Sequence, residues 1–175
     1  MANTWQCIAP SAAYAANKHM IDVFNATAST RFIRIYRAYA FNNLYAAVTG
    51  VLNTHRVHIL STSVSAGTAV TPQAHDSTNS ALNANTTSGS GRTTTIASTL
   101  RQILTSNDES SIGSLDWDSM GTLVPFADIW NAGYGDSNVQ PITLAASENR
   151  GFSILSVTQA VGVGDYEISF TDAAS

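Results

Sequence analysis

Alternation of apolar and polar side chains is clearest near the end of the chain. In Tyr166-Glu-Ile-Ser-Phe170 the large apolar residues Tyr166, Ile168 and Phe170 share one parity, which predicts a strand with one buried face. Phe152-Ser-Ile-Leu-Ser-Val157 reads as another strand and Gln140-Pro-Ile-Thr-Leu144 as the opening of a third. Turns at Ala145–Gly151 and Gly162–Asp165 separate them. Strand, turn, strand, turn, strand at this spacing is the pattern of a sandwich or jelly roll.

Earlier in the chain, Met20-Ile-Asp-Val-Phe24 predicts a short strand, closed by a turn over Asn25–Ser29. The longest strand signal is Arg31 to Phe41, with Ile33, Ile35, Tyr39 and Phe41 at odd positions and Phe32, Tyr36 and Ala38 at even ones. Neither parity is cleanly polar. A strand greasy on both sides calls for cover on both sides, and in a lone sandwich a neighbouring subunit or a loop would supply it. Val48–Leu60 predicts a further strand or pair of strands with a break at Gly50. Ile96, Leu100, Ile103 and Leu104 have helical spacing, and their Thr-rich flank argues equally for a strand, so the segment stays ambiguous and one short helix open. Leu115–Pro125 reads as strand and turn, and Ala127–Asn138 as a loop dense in turn formers.

The reading is an all-β chain: one sandwich or jelly-roll-like domain over residues 1–175, with no internal repeat and no linker. Residues 61–99 stand apart as a long polar excursion of Ser, Thr, Asn, Ala and Gly. Ordering such a stretch costs about 1–2 kcal/mol per residue, and contacts from an assembly are the simplest way to offset it.

Composition sharpens the picture. Charged residues make up 11% of the chain, less than half the ~25% of an average globular domain, and Lys18 is the only lysine. Hydroxyls and amides stand where charges keep soluble monomers apart, and burying them against a partner costs far less than burying an ammonium. Interfaces are also poor in lysine. A net charge of −4 offers nothing to a phosphate backbone, so nucleic acid is not an expected partner. There is no basic, apolar leader at Met1–Trp5 and no apolar run long enough for a membrane span, so the expectation is synthesis in the cytoplasm and no membrane role. Cys7 stands alone and cannot form an intrachain disulfide.

The candidate chemistry is sparse. His55 and His58 are three apart, and on a strand they point to opposite faces, so ordinary hydrogen-bonded histidines are the better reading than a metal pair. Asp116 and Asp118 flank Trp117, and Asp128, Asn131, Asp136 and Asn138 form an oxygen-rich loop, but neither matches a calcium loop and no metal or cofactor is expected. No Gly-x-Ser-x-Gly elbow, P-loop or dinucleotide fingerprint occurs, so catalytic residues are not assigned and a non-enzymatic role is expected. Trp5, Trp117, Trp130 and Tyr134 suit either sugar stacking or packing, with packing the heavier reading. Arg31, Arg34 and Arg37, with Tyr36 and Tyr39, form a candidate interface; in a regular strand Arg31 and Arg37 share a face and Arg34 takes the other.

Asn17-Lys18-His19 leading into Ile21–Ala26, the Arg31–Tyr39 strand, Asn107-Asp-Glu109, Val139–Leu144 and Tyr166–Thr171 together resemble the small β-sandwich structural proteins of tailed-phage virions. The likeness is one of pattern over most of the chain, without a single diagnostic motif. It implies a place on the virion, most simply as a homotrimeric decoration (cement) protein on the capsid exterior, with the major capsid protein as partner. Another virion part (neck, tail, baseplate or head fibre) and a glycan-binding β-sandwich are the alternatives.

Overall fold

The computed structural model describes residues 3–42, 51–63, 66–107, 126–132, 140–157 and 163–174. Among these residues twelve strands form: β1 (Asn3–Ala13), β2 (Lys18–Asn25), β3 (Arg31–Asn42), β4 (Val51–Leu60), β5 (Thr68–Ala69), β6 (Gln73–Ala74), β7 (Thr86–Ser90), β8 (Ile96–Asn107), β9 (Phe126–Asn131), β10 (Ile142–Leu144), β11 (Arg150–Ser156) and β12 (Val163–Ala174). No helix occurs among the described residues, and Ile96–Leu104 lies in strand β8.

The pairing has a simple logic. The first four strands meet later ones in antiparallel pairs, β1 with β12, β2 with β11, β3 with β9 and β10, and β4 with β8. The chain is thus one long hairpin. Winding it up sets β12 beside β3 and β11 beside β4. Two sheets result, ordered β10-β3-β12-β1-β6, with β9 also on β3, and β5-β7-β2-β11-β4-β8. This is the winding of a jelly roll.

The sheets face each other across an apolar core. The first contributes Trp5, Cys7, Ile33, Ile35, Ala38, Ile168 and Phe170; the second contributes Ile21, Val23, Val57, Phe152 and Ile154. The alternation expected for Tyr166, Ile168 and Phe170 holds, all three being at most 1% exposed. Strand β1 was hidden in the sequence. Its inward residues Trp5, Cys7 and Ala9 alternate, but Ile8 falls on the wrong parity and Pro10 interrupts the run. A register shift follows Ala9, where Ser11 takes a positive φ of 50° and its N–H donates to Asp165 Oδ1 at 2.6 Å.

Three expectations change. The Arg31–Phe41 strand is not doubly greasy. Ile35 faces Phe170 and Arg37 faces Ser169, so Tyr36 has no opposite residue and forms a bulge. Inward positions are therefore Ile33 and Ile35 before it, and Ala38 and Ala40 after it. The mixed parity records a phase change, not a need for cover on both sides. Secondly, part of Ala127–Asn138 is strand β9, which pairs with β3; residues 133–139 and the Leu115–Pro125 segment lie outside the described residues. Thirdly, the polar excursion is ordered by its own chain: β7 extends the second sheet at β2, β5 pairs with β7, and β6 pairs with β1. Its order therefore does not by itself argue for a neighbour.

Candidate functional site

The two sheets have very different outer sides. On the second sheet, Asp22, Phe24, His58, Leu60, Ser153 and Leu155 alternate with the inward residues and so point away from the core, yet all are at most 4% exposed. The chain itself covers them. After β7 it passes Arg92, whose backbone bonds His19 in both directions, and continues through Thr93–Thr95 to β8. Thr93 accepts from Lys18 Nζ at 2.7 Å, and Thr95 is tied to Ser61 and Thr62. Gly151 lets Phe24 and Leu60 close over the strand: a Cβ there would sit 2.5 Å from the Phe24 ring.

Beneath this strap lies a small polar layer. Arg92 Nη1 meets Asp22 Oδ1 at 3.1 Å, its guanidinium lying over Gly89, which has no side chain to obstruct it. Burial raises the Asp22 carboxyl to about 6 against the attraction of Arg92. His19 Nδ1 contacts Ser153 Oγ at 2.8 Å, and the His19 ring meets His58 edge-on. Burial, helped by the neighbouring His58, lowers His19 to about 4. A serine and a histidine in contact is a hydrolase-like pairing, but Ser153 is 0% and His19 1% exposed. A substrate has no access to them, and the contact is structural.

A second polar cluster closes the core at the end where β1 turns into β2. His55 Nε2 lies 2.8 Å from Tyr166 Oη and 3.3 Å from Asn53 Nδ2, while Ser156 Oγ donates to Asn53 Oδ1 at 3.1 Å. Tyr14 packs edge-on against His55. Burial lowers His55 to about 4 and raises Tyr14 to about 12. His55 points inward and His58 outward, as their spacing on a strand requires. Among the described residues no three His, Cys, Asp or Glu side chains converge.

The outer side of the first sheet is different. Its outward residues Arg34 and Arg37 are exposed, and the excursion borders it at β6 and His75. The bulge at Tyr36 turns Arg37 to the same side as Arg34, so the regular-strand expectation is corrected: Arg34 and Arg37 share the solvent face. Arg31 faces the other way and binds Asp172, a fully buried carboxylate, at 2.9 Å. The candidate interface thus splits, with Arg34, Tyr36, Arg37 and Tyr39 on the open face and Arg31 in a structural ion pair. Tyr36 and Arg37 line a depression of about 320 Å³ with Thr4, His75, Ser169 and Thr171. Beside them on β12 is Glu167, which the sequence reading passed over; its place between Tyr166 and Ile168 marks it as outward.

The aromatic candidates fare unevenly. Trp5 is a core residue, and Trp130 is half-buried against the core. Trp117 and Tyr134 lie outside the described residues, as do Asp116, Asp118, Asp136 and Asn138. Comparison with known protein families finds none that matches, and comparisons with curated proteins and with solved structures find no match.

Proposed function

We propose that this chain is a non-enzymatic structural protein that works by packing against other protein, as a virion component of the capsid-decoration type, outside the shell and against the major capsid protein. The observation that carries the reading is the contrast between the faces. The chain lays the end of its polar excursion, Arg92–Thr95, along the outside of one sheet and leaves Arg34, Tyr36, Arg37 and Tyr39 together on the other. Arginine and tyrosine are the residues that interfaces favour. The jelly-roll winding supports it, since that fold recurs in capsid proteins, although a fold alone assigns no function. The charge-poor surface supports it too.

Two measurements test the reading together. The purified full chain should sediment as a discrete homo-oligomer, and antibody raised against it should label the outside of virus particles released by the producing cells. A chain that stays monomeric and labels no particle overturns it. Label on a neck, tail or fibre would move the site of action while keeping the structural role.

A further inference from the structure

We infer that the open face of the first sheet is a self-complementary contact between two copies of this chain, with Arg37 of each copy set against Glu167 of the other. The inference rests on the assembly reading above and names the surface that assembly would use.

The geometry starts from the ladder between β3 and β12. Arg37 is opposite Ser169, and Tyr39 is opposite Glu167. Arg37 and Glu167 are therefore diagonal neighbours on one face, a relation that separates positions by about 7–8 Å. Among the described residues neither Arg34 nor Arg37 has a carboxylate within 4.0 Å. The other arginines of the described chain are engaged or stand elsewhere: Arg31 with Asp172, Arg92 with Asp22, Arg56 with Gln102, Arg101 with the Ile129 carbonyl, and Arg150 on β11.

A two-fold axis lying in the plane of contact, midway between Arg37 and Glu167, exchanges their positions. Each guanidinium then lies over the carboxylate of the other copy, and two equivalent ion pairs form. This is the self-complementarity that an isologous interface needs. Charge selects the arrangement. The protein carries a net charge of −4, so two copies repel on average, and a docking that sets arginine against carboxylate is favoured over others. Surrounding residues suit contact. Tyr36 and Tyr39 are half-buried, Ile8 is 50% exposed, and Gln6, Ser169 and Thr171 are neutral groups that lose water at modest cost. The lone lysine stands on β2, in the other sheet. A self-complementary patch closes on two copies, so it builds a dimer or joins larger rings in pairs.

A charge swap tests the contact. The self-association constant of the full chain is measured by sedimentation velocity for the wild type, Arg37→Glu, Glu167→Arg and the double variant. Each single reversal should weaken association by about tenfold or more, because it removes two cross-pairs and sets like charges together. The double variant should return to within about threefold of the wild type, since the pairs re-form with opposite sense. Thermal melting should be alike in all four, as both side chains leave the fold toward solvent. If a reversal does disturb melting, Arg37→Gln and Glu167→Gln take its place, with weakening expected from each. Singles without effect, or a double variant that fails to recover, would overturn this surface while a wild type that still oligomerises leaves the assembly reading standing. A monomeric wild type overturns the contact, and with unlabelled particles it removes the assembly reading as well.

Discussion

The outer face of the second sheet and the outer face of the first are built from strands of similar length in one sandwich, yet one is interior and the other is surface. On the second sheet, Phe24, Leu60 and Leu155 point away from the core and are still buried, and on that side the chain returns between β7 and β8, tied to His19 and Ser61. On the first, Arg34, Arg37 and Tyr39 occupy equivalent outward positions, and Arg34 and Arg37 are exposed. Burial therefore follows where the excursion is laid, not which side of the sandwich a residue faces. A protein that closes one sheet with its own loop has chosen which sheet a partner can meet.

The sharpest way to break that contrast is to make matched cavities. Phe24→Ala removes a buried ring packed over Gly151 and should cost about 3–5 kcal/mol. Tyr36→Ala on the open face should cost about 1 kcal/mol or less. Urea midpoints of the two variants measure the difference, and near-equal losses would show that the strap does not act as a second core. Arg92→Ala should cost a similar 3–5 kcal/mol, because it leaves Asp22 buried with no ion-pair partner. The double change Arg92→Met with Asp22→Asn should recover most of that loss. If it does not, the pair is holding the strap in place by more than its charge.

Acid should act on the covered side and the core before the open face. Burial holds His19 and His55 near 4, below the ordinary 6.5, so the unfolded chain takes up their protons first. Their contribution is complete above pH 6.5 and is lost as pH falls towards 4, by about 3 kcal/mol for each group. Asp22 works in the opposite sense. Its raised value of about 6 means the native chain is protonated first, so stability is gained between pH 6 and the ordinary carboxyl range. Two histidines outweigh one carboxyl, leaving a net loss of about 3 kcal/mol. Denaturation at pH 7 and at pH 4.5 should show this fall, and His19→Gln should remove most of it, because the remaining histidine and Asp22 then nearly cancel. Stability that is flat over that interval would mean that these imidazoles are not held neutral by burial.

Much of the architecture was legible in the pattern. Tyr166, Ile168 and Phe170 sit where their alternation places them, and the separation of His55 from His58 follows from strand geometry alone. Two of the misreadings, in β3 and β1, share one cause. Alternation predicts a face only while the register is regular, and a bulge shifts every later side chain to the other side. Tyr36 hid the true face of Arg37, while the break after Ala9, with Pro10, hid β1. Glu167 was missed because a single outward glutamate has no local signature. Its interest comes only from Arg37, which is distant in sequence and adjacent in the sheet.

By itself, then, the sequence determined the all-β class, most of the inward residues and the scarcity of surface charge, because these depend on local periodicity and composition. Only the tertiary structure decided the order of winding, the bulge that gathers Arg34 and Arg37, and which sheet the excursion covers. Those depend on pairings between residues far apart in the chain. Hydrophobic alternation says that a face is buried but not what buries it.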